Sequence, residues 1–211
     1  MAAVQLPTFE EEIALAAQGF RLVAGIDEAG AGAWAGPVFA GAVILKADPG
    51  SDLVRDSKML SPGQRERAAE LIRSVAVAWA VGSASAEEID RLNIRQAGAL
   101  AMRRAVEALA TPPNFVLIDA FRVPGLAAPS KSIIRGDAKV MSIAAASIMA
   151  KVARDALMRD LAERYPGYGF EEHKGYGTAL HQRALKELGV CPEHRRTYDP
   201  VRRVIEGTDK K

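Results

Sequence analysis

Three times along the 211-residue chain, an apolar run of strand length ends on or close to an acid. Asp27 and Glu28 follow Leu22-Val23-Ala24-Gly25-Ile26, Asp119 follows Phe115-Val116-Leu117-Ile118, and Asp137 follows Ile133-Ile134 after Arg135-Gly136. Carboxylates at the margin of a buried sheet lose hydration at a cost of several kcal/mol each, unless cations or hydrogen bonds compensate. A divalent metal offsets all of them together. An oxygen-only set, without a His-x-x-x-His or paired Cys, suits Mg²⁺ or Mn²⁺ and disfavours zinc. Two such ions about 4 Å apart form the site of many nucleases. A single Asp at a strand end is also a common turn residue or helix cap, so spacing alone leaves both readings open.

The apolar runs at 20–26 and 38–45 have strand length and are separated by the small-residue segment 29–37, which predicts neighbouring strands joined by a Gly-rich turn. Ser61-Pro62-Gly63-Gln64 opens a helix to about residue 74 with a capping box and Pro at its first position, and a strand is expected over 75–81. Ser85 with Glu88 marks a second capping box, and helical periodicity over 94–110 stops before Thr111-Pro112-Pro113. Short buried strands are predicted at 115–118 and 132–134, then a long helix over 141–164 halted by Pro166-Gly167. Beyond that, aromatics, Gly, His and Arg dominate, with one clear helix at 178–188 between Thr178 and Gly189. The class is α/β, a mixed sheet flanked by helices over 1–165 with a smaller helical region over 166–211.

With 49% hydrophobic and 26% charged residues the composition is that of a globular protein, long enough to bury a core. The longest unbroken apolar stretch, 75–81, is far below the roughly 18 residues of a membrane span, so no membrane partner is expected. Acids in the opening MAAVQLPTFEEE do not suit a signal peptide, and the lone Cys191 forms neither an internal disulfide nor a thiolate zinc site; a reducing cytoplasm is the expected compartment. Twenty-eight Lys and Arg against 26 Asp and Glu give a net charge of +2, which leaves the partner open.

Residues 25–38, GIDEAGAGAWAGPV, resemble the N-terminal signature of the ribonuclease HII family, in which Asp-Glu-Ala-Gly-Arg-Gly is followed by Ala-Gly-Pro. Asp56-Ser57-Lys58 with Leu60-Ser61 is similar to the family's DSK-x-LS, Leu117-Ile118-Asp119 to its central aspartate strand, and Gly136-Asp137 with SIAAASIMAKVARD to its long helix. His173-Lys174-Gly175-Tyr176-Gly177-Thr178, His181, Cys191-Pro192 and His194-Arg195-Arg196 complete the pattern in order, over about residues 20–203. The resemblance implies a ribonuclease H-like sheet and an endonuclease acting on the RNA strand of RNA/DNA hybrids and 5′ of ribonucleotides embedded in duplex DNA, leaving 3′-hydroxyl and 5′-phosphate ends. It implies that Asp27, Glu28, Asp119 and Asp137 bind two Mg²⁺ or Mn²⁺ ions and catalyse in-line attack by water, without a Ser, Cys or His nucleophile. By the same resemblance the backbone of Gly30, Ala31 and Gly32 contacts the ribose 2′-hydroxyl, the group that distinguishes RNA from DNA. Tyr176 stacks on the following deoxyribose, and Ser57, Lys58 and Lys174 are further substrate contacts. A monomer is expected.

One position departs from the family pattern: Ala31 stands where the Gly-Arg-Gly loop has arginine, removing a cation near the cut and putting junction preference and affinity in question. A hybrid-binding protein with weakened or absent catalysis is the alternative. A dinucleotide-binding loop fits less well, because Gly30, Gly32 and Gly36 are spaced GxGxxxG and two acids precede them. His173 and His181 read as ordinary hydrogen-bonded residues ahead of groups that orient backbone or phosphate, Trp34 and Trp79 as hydrophobic anchors, and the pairs Arg195-Arg196 and Arg202-Arg203 as phosphate contacts or solvated surface.

Overall fold

The computed structural model describes residues 6–208. The first five residues, on which the reading against a signal peptide partly rests, lie outside that range. Five strands, β1 (Val23–Ala29), β2 (Val38–Leu45), β3 (Ala76–Ala84), β4 (Phe115–Asp119) and β5 (Ser130–Ile133), form one sheet in the order β3-β2-β1-β4-β5. β1, β2 and β3 run as an antiparallel meander, while β4 lies parallel to β1 and β5 parallel to β4. The helices are α1 (Glu10–Ala17), α2 (Pro62–Val75), α3 (Ala86–Leu92), α4 (Ile94–Glu107), α5 (Met141–Arg164), α6 (Phe170–His173), α7 (Ala179–Leu188) and α8 (Asp199–Ile205). The expected mixed α/β class is therefore the observed one.

Both capping boxes form: Ser61 and Gln64 close the start of α2, Ser85 and Glu88 that of α3. Thr178 caps α7 and Gly189 ends it. Other boundaries move for identifiable reasons. β1 does not stop before its acids, because Asp27 pairs with Gly41 and Glu28 with Ala40 across the hairpin, so both carboxylates are part of the strand. β3 runs to Ala84 because β2 pairs with it up to Val38. Trp79, expected as a buried anchor, lies on the exposed side of this edge strand, with the Arg73 guanidinium 5.4 Å over its ring. α1 and α8 have no counterpart in the sequence reading, being only 8 and 7 residues long.

Glycines set the layer spacing. A Cβ at Gly25 would fall 2.1 Å from the Ser142 backbone carbon, and one at Gly41 would fall 2.2 Å from the Ala146 carbonyl oxygen, so α5 lies in backbone contact with β1 and β2. On the opposite face Gly82 admits α4 in the same way, its Cβ position lying 2.4 Å from the Ala101 carbonyl oxygen. Between the sheet and α4 pack Ile26, Val38, Ile44, Met102 and Ile118; between the sheet, α5 and α2 pack Val43, Leu60, Ile72, Ile148 and Met149. The C-terminal half of α5 carries a separate cluster of Met158, Leu161, Tyr168, Phe170 and Cys191, which docks the last helices. Because alternate residues of a strand face opposite sides, Gly25 and Asp27 look toward α5 while Ile26 and Glu28 look toward α4.

Gly25→Ala should destabilise the protein by about 3 kcal/mol or more in urea unfolding, since the added methyl meets backbone rather than a mobile side chain. A loss below about 1 kcal/mol would show that α5 can move off the sheet cheaply.

Candidate active site

β1 and β4 lie side by side and parallel, so their C-terminal ends bring Asp27 and Asp119 together. Asp137 arrives from the 3₁₀ turn Gly136–Ala138, which follows β5 and precedes α5. One carboxylate oxygen from each of Asp27, Asp119 and Asp137 lies within 4.8 Å of the others. The turn is held to the strand by the Gly136 N–H, which donates to Asp119 Oδ1 at 2.6 Å. Asp27 Oδ1 accepts the Glu28 N–H at 2.7 Å.

Glu28 does not join the three aspartates in this arrangement, because strand alternation turns it to the α4 side. Its Oε2 is nevertheless buried and without a hydrogen-bond partner. Burial, and then the charge of Glu28, push the Asp27 carboxyl well above the usual carboxylate range. Burial and Asp119 raise Glu28, and burial, with Asp137 adding to it, raises Asp119. Three acids whose charged forms are disfavoured by burial and a neighbouring carboxylate, with Asp137 beside them and one orphaned buried oxygen, fit an oxygen-ligated divalent cation.

The cations already present are few. Lys58 Nζ donates to Asp137 Oδ2 at 3.1 Å while the rest of its side chain is exposed. Burial lowers its pKa, but the hydrogen bond and charge of Asp137 outweigh that and hold it above the ordinary lysine value. Ser57, expected beside Lys58 as a substrate contact, is instead buried with its hydroxyl 3.0 Å from that of Ser147 on α5. Ser147 in turn lies beside the Asp27 carboxylate and favours its charged form. Ser57 and Ser147 thus form a short buried relay that orients Asp27.

The loop at 30–37 is fastened from below by two fully buried arginines. Arg195 donates to the carbonyls of Gly30 at 2.7 Å, Ala31 at 2.9 Å and Gly36 at 3.0 Å. Arg154, from α5, donates to Pro37 at 3.0 Å, Ala35 at 3.1 Å and the carbonyl of Lys174 at 2.9 Å. Burial lowers both guanidinium pKa values, that of Arg154 to about 10, which still leaves it charged at neutral pH. Arg154 also lies 5.5 Å from the Tyr176 ring, so the Gly-rich loop and the 174–177 segment share one support. Tyr176 itself is partly exposed, and Lys174 Nζ donates to the Glu171 carbonyl.

All three histidines of the chain meet beneath that segment. The Cys191 N–H donates to His194 Nδ1 at 3.0 Å, so His194 Nε2–H donates to His181 Nε2 at 3.1 Å, and His181 Nδ1–H donates to the Tyr176 carbonyl at 3.0 Å. His173 Nδ1 accepts the Gly175 N–H and its Nε2–H donates to the Tyr168 carbonyl. Every ring is therefore neutral, and burial, followed by the neighbouring histidine, pushes His181 and His194 down to about 4.

Sequence reasoning missed Ser147, Arg154, His194 and the structural role of Arg195. A signal existed for two of them: Ser147 and Arg154 are seven residues, or two turns, apart on α5, which places them on one face of the helix. Of the other basic pairs, Arg196 donates its backbone N–H to Asp90, and Arg202 pairs with Asp199.

In the metal-free protein, Asp27→Asn should raise the melting midpoint at pH 8 by at least about 2 °C. An acid whose folded pKa is raised costs stability as pH climbs through that value, so the gain should shrink as pH falls toward 4. A lower midpoint at pH 8 would contradict the account of mutual repulsion.

The family model described as Ribonuclease HII matches residues 24–202. A protein from Halorhodospira halophila named Ribonuclease HII is 58% identical over 188 residues, covering 88% of this chain and 95% of that one. One of the same name from Anaeromyxobacter sp. is 55% identical over 187 residues; the match takes in 89% of this chain but 59% of that longer relative. Among solved structures, the ribonuclease H2 from Pyrococcus horikoshii superposes with a TM-score of 0.74 at 30% identity, covering 90% of this chain and 99% of the other.

Proposed function

The chain belongs to the ribonuclease HII family of type 2 ribonuclease H endonucleases, and from that premise we propose that it cuts the RNA strand of RNA/DNA hybrids and nicks duplex DNA on the 5′ side of an embedded ribonucleotide. Asp27, Asp119, Asp137 and Glu28 would hold Mg²⁺ or Mn²⁺, which when bound supplies a lowered water pKa and charge for the leaving oxygen. The remaining chemistry belongs to the chain. Ser147 and Ser57 orient Asp27, and the Gly136 N–H orients Asp119. Lys58, already beside Asp137 on a flexible and exposed stem, is placed to follow a phosphate of the substrate strand.

The observation that carries the substrate reading is the orientation of the Gly-rich loop. In a trans peptide the carbonyl and the following N–H point in opposite directions. Arg195 draws the Gly30 and Ala31 carbonyls inward, so the N–H groups of Ala31 and Gly32 point away from it, and no hydrogen bond occupies them among the described residues. Two outward donors beside the acids suit a ribose 2′-hydroxyl, and they survive the replacement of arginine by Ala31 because they are backbone groups. Tyr176, tied to the same support through Arg154, is positioned to pack on the next sugar, with Lys174 near it. The region 166–211 acts in this reading as a substrate-binding appendage to a catalytic domain over 1–165. In this reading the protein works in the cytoplasm as a monomer; a lone, buried cysteine suits a reducing compartment.

Incubation with duplex DNA carrying one ribonucleotide should give a single nick 5′ of that residue with Mg²⁺ or Mn²⁺ and none with chelator. Binding without metal-dependent cutting, on this duplex and on a longer hybrid, would favour a hybrid-binding protein instead.

A further inference from the structure

On the α4 side of the sheet, an open cleft of about 390 Å³ adjoins the carboxylates through Glu28. Its walls include Ala31, Val38, Ile94 and Phe121, together with Arg95 from the first turn of α4 and Arg122 from the segment after β4. The two arginines are exposed and make no ion pair or hydrogen bond among the described residues. Their neighbours on α4 are engaged: Arg104 pairs with Glu88 at 2.8 Å and Arg103 donates to the Pro124 carbonyl at 3.4 Å. Beyond Asp119 the chain doubles back in a tight turn, with the Phe121 N–H donating to the Asp119 carbonyl at 2.5 Å across Ala120, whose φ is 45°. That left-handed turn brings Phe121 and Arg122 to the cleft instead of continuing the strand.

A site with an apolar lining, an aromatic ring and two unpaired guanidiniums suits a ligand having a flat, weakly polar body and an anionic group. Guanidinium matches a phosphodiester by paired N–H donors, and an aromatic face accepts any base. Continuity with the acids through Glu28 selects the occupant from the strand being cut rather than a separate small molecule. We propose that this cleft is a subsite for one nucleotide of the substrate duplex adjoining the cut, with Arg95 and Arg122 on its phosphate and Phe121 and Ile94 against its sugar and base. The proposal rests on the nuclease reading above. It also accounts for Ala31: the methyl group lines the same cleft, so the cation that the Gly-Arg-Gly pattern would supply from the loop comes here from across the cleft.

The test compares wild type, Arg95→Ala/Arg122→Ala, that pair combined with Ala31→Arg, and Arg67→Ala as an exposed cation remote from the cleft. Initial nicking rates on the single-ribonucleotide duplex are measured with Mn²⁺ over a salt series. The double variant should lose about 10- to 100-fold in kcat/KM, chiefly through KM, with the nick unmoved and the salt slope reduced by about 1 to 2. Adding Ala31→Arg should recover part of the loss, and Arg67→Ala should stay within about twofold of wild type. Binding of the uncut duplex in chelator, read by fluorescence anisotropy, separates the two claims. Wild type that binds without nicking when metal is supplied contradicts the nuclease reading, whereas equal Kd and salt slope for wild type and the double variant overturn the subsite.

Discussion

Backbone contact between α5 and the β1-β2 hairpin, permitted by Gly25 and Gly41, is the constraint on which the rest of the molecule hangs. A Cβ at either position would push the helix off the sheet, and with it every group the helix carries. Ser147 reaches the Asp27 carboxylate, Arg154 reaches the Gly-rich loop two turns later, and Met158 and Leu161 start the cluster that seats the C-terminal helices. One helix thus sets the position of an acid, of the Gly-rich loop and of the segment bearing Tyr176. Displacements at one of these points are shared by the others.

Electrostatically the most buried cations are kept away from the clustered acids, whose one ion-pair partner among the described residues is the exposed Lys58. Asp27, Glu28 and Asp119 meet at strand ends, where burial and a neighbouring carboxylate raise their pKa values, and the two most buried cations, Arg154 and Arg195, are satisfied by carbonyl oxygens rather than by those acids. Neutralising the acids internally would have been simpler for stability, since a buried cation beside Asp27 would lower the desolvation cost. The carboxylates are left short of positive charge, which is the condition a divalent cation relieves. The net charge of +2 hides this, because it adds a cluster that awaits cations to a surface that is more basic than the sum suggests.

Much of the fold was legible because local signals agreed with tertiary demands. Capping boxes at Ser61 and Ser85 and the Thr178 cap fall where side chains hydrogen-bond their own backbone, and α5 ends before Pro166-Gly167 because proline has no N–H to continue it; such local effects need no knowledge of the rest of the chain. Their place behind apolar runs marks Asp27, Asp119 and Asp137 as candidates, but spacing alone leaves turn and cap roles open, and it is the family resemblance that groups them, with Glu28, into one site. The division of labour between Asp27 and Glu28 was not stated, although alternation along β1 contains it. What stayed hidden depends on contacts distant in sequence: Arg195 with Gly30, the relay from Ser57 through Ser147, and the joining of His173, His181 and His194 into one neutral cluster. A histidine or arginine read singly looks like surface, and only the packed fold decides otherwise.

The central claim is that these acids form a divalent-cation site. Anomalous diffraction from crystals grown with Mn²⁺ tests it most directly. The account predicts a strong peak within about 2.0–2.4 Å of carboxylate oxygens from Asp27 and at least one of Asp119 and Asp137, with Lys58 Nζ drawn away from Asp137. An empty cluster at saturating Mn²⁺, or manganese bound elsewhere while Lys58 keeps its contact with Asp137, would contradict it.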